Sequence, residues 1–99
     1  MQLHHVQGDI LFVRVGGVVP EGARIRPDGI VVRGETTGHA HRVVGDATVF
    51  EVADRLLIEV TGTAEVVHED HPVVALDPGM WQVTRQHTYE AGDIRRMMD

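Results

Sequence analysis

The sequence predicts an all-β domain, a small antiparallel β-barrel or sandwich of about eight short strands with a short C-terminal helix. Three observations carry that expectation. Valine supplies 17 of the 99 residues, and β-branched side chains favour extended backbone. Apolar residues recur in short runs punctuated by Gly, Asp and Pro, without a sustained helical period. Ninety-nine residues are enough for one core and not two, so a single domain spanning 1–99 is expected.

Taken in order, strands are expected near 9–15, 29–34, 39–44, 47–53, 55–61, 63–68, 72–76 and 80–89. Gly45-Asp46, Ala53-Asp54 and Gly62-Thr63 lie between paired runs and read as hairpin turns, since Gly and Asp accept the positive φ that such turns require. Asp77-Pro78-Gly79 is a further turn signal. Residues 16–28 hold three Gly and two Pro, which is too broken for a regular element. This is the one long loop, expected to cover a sheet edge or a site. Near the end, Asp93 is placed to cap a short helix, with Ile94, Met97 and Met98 facing the body. Sequential strands joined by hairpins make an antiparallel sheet, and closing or doubling it covers the edges. That reasoning favours a barrel-like form.

Composition removes whole classes of chemistry. Lys, Ser, Asn and Cys are all absent, which excludes a serine or cysteine nucleophile, a lysine Schiff base, a P-loop lysine, thiolate metal ligands and disulfides. Nine Arg against fifteen acids leave a formal charge of −6, which disfavours a general nucleic-acid surface. The balance is uneven, because residues 1–45 carry five Arg and four acids while 46–99 carry four Arg and eleven acids. Arg24, Arg26, Arg33 and Arg42 are therefore candidates for a local carboxylate or phosphate clamp, with solvated pairing to the acidic half as the alternative. No apolar run approaches the length of a membrane span and the N-terminus carries no signal pattern, so a soluble, cytoplasmic protein without membrane contact is the expectation.

Seven histidines are the most informative feature. His39 and His41 are two apart, so on a strand both rings project from one face, together with Val43, and two imidazoles so placed can converge on a divalent metal. His68 and His71 bracket Glu69-Asp70 and precede Pro72. On a straight strand they would face opposite ways, whereas a turn there brings both rings round. The adjacent acids can orient imidazole N–H groups, and Glu69, or Glu35 four residues before His39, can serve as a proton-transfer group to a bound water. His4 and His5 are available as an added ligand but, lying near a terminus, read as solvated. Trp81, Val83, Arg85, His87 and Tyr89 share one strand parity, which makes Arg85, His87 and Tyr89 a candidate anion-binding wall unless the strand bends or bulges midway and leaves its far end wet.

The stretch Gly34-Glu-Thr-Thr-Gly-His39-Ala-His41, followed by Asp46, resembles the first motif of cupins. In that motif a Gly leads to two histidines and then an acid, and the three side chains bind a divalent metal inside a small barrel. The resemblance spans about a dozen residues, with Asp46 standing where Glu is usual, and it implies metal ligation by His39, His41 and Asp46. The second cupin motif has no counterpart, since Pro78-Gly79 is not followed by a histidine.

Two functions follow from these residues. In the first, His39, His41, His68 and His71 meet and hold a divalent ion (Zn, Mn, Fe or Ni) or a small polar or anionic ligand. If the protein is an enzyme, that reading gives it metal-activated water for hydrolysis or related chemistry. In the second, the protein is a non-catalytic, homo-oligomeric interaction or assembly module whose histidine cluster is structural.

Overall fold

The computed structural model describes residues 4–33 and 39–85. Among these residues every regular element is a strand: β1 His4–Gln7, β2 Ile10–Val15, β3 Arg24–Ile25, β4 Ile30–Arg33, β5 Ala40–Val52, β6 Arg55–His68, β7 His71–Leu76 and β8 Gly79–Arg85. All pairings are antiparallel and join the strands into one sheet in the order β1-β2-β8-β6-β5-β3, with β4 on β5 and β7 on β6. The all-β expectation holds. The helix expected from Asp93 lies outside the described residues.

Four of the expected strands are in fact two long ones. Gly45-Asp46 and Gly62-Thr63 are not hairpin turns; they face each other as a bulge inside the β5–β6 hairpin, between the pairs Gly45↔Ala64 and Ala47↔Val60. Gly45 has φ +102°, and a Cβ there would come within 2.4 Å of the Thr63 carbonyl oxygen, so the bend admits only glycine. Asp46 stitches it, its carboxylate accepting the Thr63 N–H at 3.3 Å and its carbonyl the Thr61 hydroxyl at 3.2 Å. Beyond the bend the hairpin changes partners. Its tip half pairs with β3 and β8, and its open half pairs with β4 and β7. The tip itself is the expected two-residue turn, with Ala53 at φ 53° between Val52 and Arg55.

One face of β6 runs Ile58, Val60, Ala64, Val66, all buried, as strand alternation requires. Ile10, Phe12, Val31, Val49, Leu76 and Trp81 complete the core from five other strands. The long loop contains β3 and lies along the edge of β5, where the Arg26 N–H bonds the Val49 carbonyl at 2.8 Å and the Val43 N–H bonds Gly29 at 2.9 Å. Covering an edge is therefore its structural role. Arg24 and Arg26 both reach Glu51, at 3.7 and 3.5 Å, which spends them on surface pairing rather than on an anion clamp.

The expected barrel closure does not occur. β1 and β7 meet across a seam without a backbone ladder, and the Gln7 side-chain amide bridges it, donating to the carbonyls of Val66 and Pro72 at 2.9 Å each. One contribution is local. In a strand the N and C=O of one residue point the same way, and the Pro72 carbonyl faces β1, so its nitrogen, which carries no hydrogen, faces β1 as well.

Candidate functional site

The seam end of the sheet gathers the start of β5, the β6–β7 turn and the β1–β2 turn. Glu69-Asp70 form a two-residue connection that sets His68 opposite His71 as a cross-strand pair, so two rings three residues apart lie side by side. Their centroids are 4.5 Å apart. His41, on the core-facing side of β5, packs against both, at 4.3 Å from His68 and 6.0 Å from His71. His39 joins edge-on at 5.8 Å from His68. The structure thus brings all four expected rings together.

Each ring but one has an assignable hydrogen bond. The Asp70 carboxylate lies 2.6 Å from Nδ1 of His39, and the Asp70 backbone N–H donates to Nδ1 of His68 at 3.0 Å, so one residue orients two rings. Nδ1 of His41 lies 2.8 Å from Oε1 of Gln7. Because the Gln7 nitrogen already donates to two carbonyls, its oxygen is the acceptor, and His41 is the Nδ1–H tautomer with its lone pair on Nε2. His71 instead presses on Gly8, where a Cβ would stand 2.6 Å from its Nε2. Gly8, at φ +61°, leaves the room that the ring occupies.

His41 is only 5 % exposed, and its pKa falls from 6.5 to about 4. Burial is the largest cause. The neighbouring His68 and His71, and Arg85, push the same way against the opposing charge of Asp9. At neutral pH the ring is therefore uncharged, as a nitrogen ligand must be. Arg85 closes the rim, 3.6 Å from Asp9, on the face shared with Trp81 and Val83. His87 and Tyr89, the rest of the expected anion-binding wall, lie outside the described residues.

The two expected proton-transfer residues fare differently. Glu69 is a backbone clamp: its carboxylate accepts the Ala40 N–H at 3.1 Å, and its own and Ala40's N–H groups hold its pKa below the usual carboxylate range. That arrangement suits an anchor for the start of β5. Glu35 lies outside the described residues. Asp46, which the cupin resemblance would set beside His39 and His41, is engaged instead at the β5 bulge. His5 is not fully solvated; it packs 5.3 Å from Trp81 with Nε2 buried and unpartnered. Gln7 is the site residue that sequence reasoning missed. Its one signal was a shared strand parity with His5, and a lone amide at a strand end carries no partner information of its own.

As the rings stand, no three His, Asp or Glu side chains among the described residues form a group able to hold a metal ion. The fold and site define a class: an open, curled antiparallel sheet carrying an imidazole cluster where its seam fails to zip. The chain belongs to the DUF8820 family, a domain of unknown function, whose pattern matches residues 6–86 and so includes Gln7 and all four clustered histidines. No curated protein and no solved structure matches the chain. Among the described residues no helix is long and apolar enough to cross a membrane.

Proposed function

We propose that this domain binds a divalent transition-metal ion through the imidazoles of His39, His41, His68 and His71. The observation that carries the reading is the meeting of four rings from two separate stretches of chain, with Nδ1 of His41 held by an amide and Nδ1 of His39 by a carboxylate. Those partners are of the kind that fix metal-ligating histidines. Three of the four rings suffice for an ion, and His68 joins only by giving up the N–H it accepts from Asp70. Nearby carboxylates are committed to Ala40 and His39, so the donor set is nitrogen-rich and suits Zn, Ni or Fe better than Mg or Ca. Such an ion, bound by three nitrogens, would keep an open position for a water or a small anion and would lower the pKa of that water.

The test is direct. Untagged protein titrated with Zn(II) or Ni(II) is expected to take up one ion per chain, and a His39→Ala/His41→Ala variant is expected to take up none. Folded wild-type protein that ignores micromolar zinc would remove the proposal.

A second reading, a homo-oligomeric module, is favoured by the open seam, whose two strands expose Val6 and Val73, 48 % and 54 % accessible. In that case light scattering should show a dimer or larger, and Val6→Glu/Val73→Glu should return it to monomer; a strictly monomeric wild type ends this reading.

A further inference from the structure

Gln7 is 2 % exposed, among the most buried polar side chains described, and every polar atom of its amide is engaged. Its nitrogen takes two carbonyls, one on β6 and one on β7, and this orients the amide without ambiguity. The remaining oxygen has only one ring to meet, Nδ1 of His41 at 2.8 Å. A neutral histidine in water favours the opposite tautomer, so the protein holds His41 in the form that places the lone pair on Nε2.

We propose that Gln7 is the positioning residue of the histidine cluster, a seam latch whose oxygen fixes the tautomer of His41 and so makes Nε2 its ligand nitrogen. This deepens the metal reading and rests on it. The latch has two separable jobs. The donors close β1 against β6 and β7, and the acceptor sets His41.

Two substitutions split those jobs. Gln7→Glu and Gln7→Met both remove the bonds to Val66 and Pro72, but only glutamate keeps an acceptor for the His41 N–H. A purely structural Gln7 would make the two variants equally poor. The inference expects zinc affinity to fall about 10- to 100-fold in Gln7→Met and to return to within a few-fold of wild type in Gln7→Glu. Two-bond proton–nitrogen NMR correlations read the tautomer in parallel, with Nδ1–H expected in wild type and Gln7→Glu, and Nε2–H in Gln7→Met.

A wild-type His41 protonated on Nε2 overturns the inference without any variant, which covers the case of a Gln7→Met chain that does not fold. Equal zinc affinities for the two variants overturn it as well. If wild type shows the Nδ1–H tautomer, Gln7→Met loses it and neither protein binds zinc, then the metal reading falls while Gln7 stands as the residue that orients His41.

Discussion

Trp81→Ala is expected to remove a large part of the domain's folding stability. The side chain is fully buried, faces Ile58 and Arg14 on the two flanking strands, and donates its indole N–H to the Asp77 carbonyl at 2.9 Å. Truncating a buried Trp to Ala costs about 3–5 kcal/mol. A domain of this size has about 5–15 kcal/mol in total. The melting temperature should fall by roughly 12–40 °C. Circular dichroism or calorimetry must follow it, since Trp81 is the single tryptophan and its fluorescence disappears with it. Trp81→Phe, which retains most of the ring, should lose much less. A Trp81→Ala protein melting within a few degrees of wild type would mean that β8 is not packed across the core as described.

Acidification is the second large effect, and its sign follows from His41. Burial and neighbouring imidazoles lower its pKa in the folded chain from 6.5 to about 4. Between those values the unfolded chain carries the extra proton, so stability is intact above about pH 6.5 and falls as the pH drops toward 4. The loss from this one ring reaches about 3 kcal/mol near pH 4. The Glu69 carboxyl, held below its ordinary pKa by backbone N–H groups, adds a loss of the same sign at still lower pH. Urea midpoints measured from pH 7.5 to 4 should therefore decline, and His41→Gln should flatten much of the decline. A wild-type midpoint that holds steady from pH 7 to 4.5 contradicts the burial of an uncharged His41.

These two expectations rest on different kinds of legibility. The buried alternation of β6 can be read directly from Ile58, Val60, Ala64 and Val66, because side-chain direction along a strand is a local property of period two. The same rule put His39 and His41 on one face, and the acidic dipeptide before Pro72 marked the turn that pairs His68 with His71. Local rules failed at Gly45-Asp46 and Gly62-Thr63. Turn-forming residues in the middle of a long hairpin and at its tip look alike in sequence, and only the ladder that continues past them, from Gly45↔Ala64 to Ala47↔Val60, makes them a bulge.

Glu69 shows the same limit at the site. Its place beside two histidines suggested a proton-transfer role, but whether a carboxylate meets a water or the N–H of Ala40, 29 residues away in the chain, depends on how the β6–β7 turn lies against β5. Gln7 is the extreme case, since its three partners lie 34 to 65 residues away. Composition and spacing alone determined that this is an all-β chain without thiol, seryl or lysyl chemistry and with histidines on matching faces. Only the tertiary structure decided that the sheet stays open at Pro72, that an amide fills the gap, and that four rings meet there. Strand direction and turn tendency act over two to four residues, whereas seam closure and hydrogen-bond partnership depend on which distant strands the shared core draws together.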